Sequence, residues 1–166
     1  MTLSKARCLI LACGNTLRED DGLGPWLAQW AEERFCGERT VRVVIRHQWT
    51  PELADEIAQA DSVIFVDCAA DVGAGAVQVK PIEPGDQASG LTTHHLGAAQ
   101  LLSLSKELYG SVPRSSLLLT VGAGSLGLRE GFSDPVQAAL PEACKTLEQE
   151  VLRLLAPAQS FLTQRA

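Results

Sequence analysis

The run Cys8–Cys13, CLILAC, is six apolar residues long and stops at Gly14-Asn15. A half-exposed strand alternates polar and apolar residues, whereas an unbroken apolar run suits a strand covered on both faces. The rest of the chain supplies the covers. Pro25 is a good early helical residue. Trp26, Leu27, Trp30, Ala31 and Phe35 follow it at helical spacing, and Gly37 ends the pattern.

Val41–Ile45 reads as a second strand and Val63–Val66 as a third, ending on Asp67. Between them Thr50-Pro51-Glu52 resembles a helix start, with Thr50 as cap and Leu53, Ile57 and Ala58 on the apolar face. Ala76–Val79 reads as a fourth strand. It lies too close behind Asp67 for a helical crossover, so it is expected as an antiparallel hairpin partner. A Pro/Gly-rich loop runs to Gly90. Thr92 or Thr93 is then placed to cap a helix carrying Leu96, Ala99, Leu102 and Leu108. Leu117–Val121 is the last strand. Asp134-Pro135 reads as a cap before a long amphipathic helix, in which Pro141 marks a kink or restart.

Strands alternating with helices predict a three-layer α/β/α fold with a mixed, mostly parallel sheet of about five strands. The 166 residues suit one domain, placed at 1–157, with 158–166 as a loose tail.

A net charge of −6 disfavours a nucleic-acid or anionic-membrane partner. No apolar run approaches the ~20 residues that span a bilayer. The N-terminus lacks the features of a signal peptide, so a cytoplasmic location is expected. Five cysteines, an odd number with no C-x-x-C spacing, argue against a disulfide framework or zinc cage. Cys8 and Cys13 read as small buried hydrophobes. Cys68 follows Asp67, but no base identifies it as a nucleophile.

Ligands of open α/β sheets collect at the carboxyl ends of the strands. Three features fall there: the segment Gly14 to Gly24, containing Asp20-Asp21-Gly22; Asp67; and Thr92-Thr93-His94-His95. Carboxylates and an imidazole drawn from three loops suit a divalent transition metal. Each also has a plainer reading. Asp20 and Asp21 precede a helix, whose dipole favours negative charge. Asp67 could merely end a strand, and His94 or His95 could be an exposed loop residue. Gly14, Gly22 and Gly24 permit tight turns. They form neither G-x-G-x-x-G nor a phosphate-binding loop, and G-x-S-x-G is absent.

Taken together, Gly14-Asn15-Thr16-Leu17, Asp20-Asp21-Gly22-x-Gly24, Asp67 after Val63–Val66, and Thr93-His94-His95-Leu96-Gly97 resemble the signature segments of the hydrogenase maturation endopeptidases. The resemblance implies removal of a C-terminal peptide from the nickel-loaded large subunit of a nickel-iron hydrogenase, by an enzyme of aspartyl type. It implies that Asp21, Asp67 and His94 engage the metal, with Asp20 and His95 as neighbouring alternatives. Gly14, Asn15, Gly22 and Gly24 would shape the loop. No permanent cofactor is implied; the nickel belongs to the substrate, although other divalent metals could occupy the site. His47-Gln48-Trp49-Thr50-Pro51-Glu52-Leu53 looks like members acting on NAD-linked, bidirectional hydrogenases. Two other readings compete. One is a nucleotide- or small-ligand-binding α/β module. The other is a peptidyl-tRNA hydrolase-like enzyme, where a strand also runs into Gly-Asn.

Overall fold

The computed structural model describes residues 6–85 and 96–157. In chain order the elements are β1 (Cys8–Cys13), a 3-10 turn (Glu19–Gly22), α1 (Leu23–Arg34), β2 (Val41–Arg46), α2 (Leu53–Ala58) and β3 (Ser62–Ala69). They continue with β4 (Val77–Pro81), α3 (Ala98–Tyr109), β5 (Ser115–Gly122) and α4 (Asp134–Leu155).

The five strands form one sheet in the order β2-β1-β3-β5-β4. The β1–β2, β1–β3 and β3–β5 pairs are parallel, and β4 runs antiparallel to β5. Both faces are covered, as the apolar run of β1 demands. Alternate side chains of a strand point to opposite faces. Cys8, Ile10 and Ala12 accordingly join the core under α1 and α4, with Leu27, Ala31, Leu140 and Leu147. Leu9, Leu11 and Cys13 join the opposite core under α2 and α3, with Leu53, Ile57, Leu101 and Leu102. The result is the mixed, mostly parallel α/β/α fold expected from the sequence.

The partner of β4 differs from expectation. β4 is antiparallel, but it pairs with β5 rather than forming a hairpin with β3. β5 already occupies that side of β3 through eight parallel pairs, Ser62↔Ser115 to Ala69↔Gly122. The connection must therefore pass the end of β5. Gly122 makes room, since a Cβ there would stand 2.0 Å from the Gly73 carbonyl oxygen.

Helix starts differ too. α1 begins at Leu23, ahead of Pro25. Proline remains tolerable in the first turn because its missing N–H has no intrahelical acceptor there. α2 is capped by Glu52, not Thr50; the Thr50 side chain instead hydrogen-bonds the Glu52 carboxylate. α3 starts at Ala98, so Leu96 precedes it, and the Gly97 N–H donates to Gln100 Oε1 at 2.8 Å. The expected caps Thr92 and Thr93 lie outside the described residues. α4 is one helix through Pro141, and its N-cap is Ser133 rather than Asp134. The expected tail, 158–166, also lies outside the described residues. Among the described residues no helix is long and apolar enough to cross a membrane.

Candidate functional site

β1 and β3 lie side by side in parallel, so their carboxyl ends open on the same edge of the sheet. The chain leaves β1 through Gly14, whose φ of +150° is one that side-chain-bearing residues rarely adopt. A Cβ on Gly14 would stand 1.9 Å from the Asp21 carbonyl oxygen. A Cβ on Gly24 would stand 2.2 Å from the Cys13 carbonyl oxygen. These two glycines let the 3-10 turn and the start of α1 lie directly against the end of β1. Asn15 fixes the loop between them: its N–H donates to Asp21 Oδ2 at 2.8 Å, and its Oδ1 accepts the Leu17 N–H at 2.9 Å.

The neighbours Asp20 and Asp21 have different surroundings. Asp20 is fully buried. Its Oδ2 accepts the N–H groups of Gly124 and Ser125 at 2.7 and 2.8 Å and the Ser133 hydroxyl at 2.6 Å. Its Oδ1 accepts the Ser133 N–H at 2.7 Å. Burial works to raise its pKa, but the bonds from Ser133, Ser125 and Gly124 outweigh it and hold the carboxyl below its usual range. Asp20 thus joins the first loop to the segment between β5 and α4, and its oxygens are already occupied. Asp21 faces the other way, into a cleft of about 330 Å³ that Asp67 also lines.

Asp67 lies within β3, opposite Thr120, rather than in the loop after the strand. Its Oδ1 accepts the Cys68 N–H at 2.8 Å. Burial pushes its carboxyl up to about 6, against the opposing help of Cys68 and the Cys13 side chain; the charge of Asp21 adds to the rise. The two acids share the cleft with Arg18 and His47, and a divalent cation bound between the carboxylates would relieve their mutual repulsion. Burial also pushes the Cys68 thiol up to about 12, and the charges of Asp67, Asp20 and Asp21 add to this. Burial and Asp67 likewise raise Cys13. Thiols held protonated in this way are poor nucleophiles.

Among the described residues no three His, Cys, Asp or Glu side chains are grouped to hold a metal. His94 and His95 lie outside the described residues, so the structure brings together Asp21 and Asp67 of the expected trio. The sequence marks Cys13 only as a small buried hydrophobe and Trp49 only through the segment His47–Leu53 that resembles one hydrogenase subgroup, yet both line the cleft. Trp49 lines the cleft and packs edge-on against Phe65, with ring centroids 5.2 Å apart. Its signal was present in the sequence as an aromatic residue just beyond a strand, beside His47 and Gln48, which also line the cleft.

A phosphate ligand fits this cleft poorly. Two carboxylates face it, and the N–H groups of Gly14, Asn15 and Leu17 are taken by Arg46, Asp21 and Asn15. The occupied N–H groups weigh against the nucleotide-binding reading, although Arg18 also lines the cleft.

A mixed, mostly parallel sheet in an α/β/α fold, with two carboxylates lining a cleft at the carboxyl ends of its parallel strands, defines the class. No family model matches the chain. The chain is 29% identical to the hydrogenase expression/formation protein HupM of Azotobacter chroococcum mcd 1 over 171 residues, covering 99% of this chain and 76% of that protein. It is similar to the [NiFe] hydrogenase maturation protease HycI of Thermococcus kodakarensis KOD1, with 26% identity, a TM-score of 0.66, and coverage of 92% of this chain and 94% of that one. The hydrogenase 2 maturation peptidase of Thaumarchaeota archaeon SCGC_AB-539-E09 gives 27% identity, a TM-score of 0.62, and coverage of 89% and 99%. The fold is also that of the hydrogenase maturating endopeptidase HybD of E. coli, with a TM-score of 0.76 at 22% identity over 89% of this chain and 93% of that one. These likenesses support the hydrogenase maturation endopeptidase family for this chain, and with it hydrolase chemistry of the endopeptidase kind.

Proposed function

We propose that this protein removes a C-terminal peptide from the nickel-loaded large-subunit precursor of a nickel-iron hydrogenase, and that it recognises the inserted nickel. The observation that carries the reading is the meeting of Asp21 and Asp67 in one cleft, while Asp20 is locked away from it. In this reading the two carboxylates bind the precursor's nickel, and His94 completes the donor set. A mixed oxygen and nitrogen set of this kind suits a divalent transition ion. The nickel is cargo of the substrate, so no resident cofactor is required.

The same engagement docks the scissile bond beside the carboxylates. A carboxylate of the pair that is not engaged by the metal is suited to take a proton from an attacking water as general base. That is aspartyl-type chemistry; the nickel itself would supply polarisation of the scissile carbonyl. We assign the precursor to the NAD-linked, bidirectional type on the segment His47–Leu53, of which His47, Gln48 and Trp49 wall the cleft.

The test is cleavage of precursor with and without nickel, followed by loss of the C-terminal peptide. Nickel-loaded precursor should be processed and nickel-free precursor left intact. Equal processing of both would defeat metal recognition. Wild-type processing by Asp21→Asn, Asp67→Asn and His94→Ala would defeat the site assignment.

A further inference from the structure

The two carboxylates of the cleft can engage a metal or take a proton, but neither can oppose negative charge. Peptide hydrolysis creates such charge. As water adds to the carbonyl carbon, the carbonyl oxygen becomes anionic, and the broken bond leaves a carboxylate and an amine. Backbone N–H groups often meet that oxygen in enzymes of acyl transfer. Here the N–H groups on the segments that bear the carboxylates are already used. Gly14 donates to the Arg46 carbonyl at 3.2 Å, Asn15 to Asp21 Oδ2 at 2.8 Å and Arg18 to the Asn15 carbonyl at 3.0 Å. Asp21 donates to the Arg18 carbonyl at 3.1 Å, and Cys68 to Asp67 Oδ1 at 2.8 Å. A donor from these segments must therefore be a side chain.

Arg18 lines the same cleft as Asp21 and Asp67. It is exposed, so its guanidinium is open to a ligand. Arg34, Arg42, Arg129 and Arg153 each pair with a glutamate, whereas Arg18 has no ion-pair partner among the described residues. Its root is nonetheless fixed, because its N–H and its carbonyl are both bonded inside the turn that presents Asp21. The other side-chain donors of the cleft match the task less well. Asn15 and Gln48 are neutral, and Trp49 Nε1 is buried. His47 presents single N–H groups, whereas a guanidinium presents a planar fork that meets both oxygens of a carboxylate.

We propose that Arg18 is a catalytic residue, its guanidinium donating to the scissile carbonyl oxygen as that oxygen becomes anionic and then holding the new carboxylate. The assignment rests on the peptidase reading. Water adds to the carbonyl carbon and gives one proton to a cleft carboxylate. The C–N bond then breaks, the leaving nitrogen takes that proton, and the acid product releases its remaining proton to solvent. A carbonyl oxygen has two lone pairs, so Arg18 adds to polarisation by the nickel rather than replacing it.

The test is cleavage of nickel-loaded precursor by the intact protein and by Arg18→Ala and Arg18→Lys. Arg18→Ala should lower kcat about a hundredfold and leave KM within about threefold of the native value. Arg18→Lys keeps a cation without the fork and should lose about tenfold. Ethylguanidinium, below denaturing concentration, should return about tenfold of the lost rate to Arg18→Ala, and ethylammonium distinctly less. Both variants should keep the native Tm, since the side chain is exposed and unpaired; if the alanine variant melts low, the lysine variant decides. Native kcat in the variants, a rise in KM alone, or the same response to both added cations would overturn the assignment. The native protein separates the two readings. If it leaves nickel-loaded precursor intact, the peptidase reading fails and the role of Arg18 with it; if it cleaves and Arg18→Ala matches its kcat, only the role fails.

Discussion

Replacing Asp67 with asparagine should make the protein more stable while removing its activity. In the fold the Asp67 carboxyl is harder to ionise than in the unfolded chain, moving from 3.8 to about 6, chiefly through burial. Each pH unit of such a difference is worth ~1.4 kcal/mol, which sets a ceiling of about 3 kcal/mol. Asp67 retains some contact with solvent, and screening reduces the expected gain to ~1–2 kcal/mol. For a chain of this length that is a rise of roughly 3–6 °C in Tm. The sign follows from linkage. Well below pH 3.8 both states hold the proton, and the variant has no advantage. As pH rises toward 6 the native aspartate loses stability relative to asparagine, and above 6 the full deficit is present. Thermal melts in chelator at about pH 4 and about pH 7.5 measure it. A variant that melts lower than the native protein at neutral pH, or whose advantage is the same at both pH values, would refute the reasoning.

Three further outcomes follow from the same geometry. Asp20→Ala leaves three backbone N–H groups and a hydroxyl without their acceptor and should cost about 3–5 kcal/mol in urea unfolding; a loss under ~1 kcal/mol would show that the bonds to Ser133, Gly124 and Ser125 contribute little. The native Asp20 contribution is present above its unfolded pKa and should fade as acid titrates the carboxyl in the fold. Gly14→Ala forces a Cβ against the Asp21 carbonyl at an unfavourable φ, and should cost ~2–4 kcal/mol and stop processing; normal processing would argue against that loop geometry. Nickel(II) added to the free protein should raise Tm in the native chain and fail to do so in Asp21→Asn and Asp67→Asn, which differential scanning fluorimetry reads directly.

Much of the fold was legible because β1 and β3 are unbroken apolar runs, and few arrangements cover both faces of such strands. The partner of β4 was not legible, because it depends on a backbone crossing at Gly122 rather than on the pattern of β4 itself. The choice of helix caps was equally hidden: the Ser133 hydroxyl is drawn to Asp20, which is distant in sequence. The same contact explains why Asp20 and Asp21 read alike in sequence. Both are acids before a helix, and only the approach of the Gly124–Ser133 segment gives one an internal role and leaves the other to the cleft. Asp67 was legible as a polar residue closing an apolar run. Its raised pKa was not, since it depends on packing around Cys13 and on the nearness of Asp21.

The Asp20 clamp also sets an order of assembly. During synthesis the Gly14–Gly24 loop leaves the ribosome early, yet the hydroxyl and N–H groups that fix it belong to residues up to Ser133. Until that stretch emerges, the buried aspartate has no acceptor role to fill and the wall bearing Asp21 has no anchor. A half-made chain therefore has no finished cleft, and the wall that bears Asp21 is fixed only once the segment up to Ser133 has emerged.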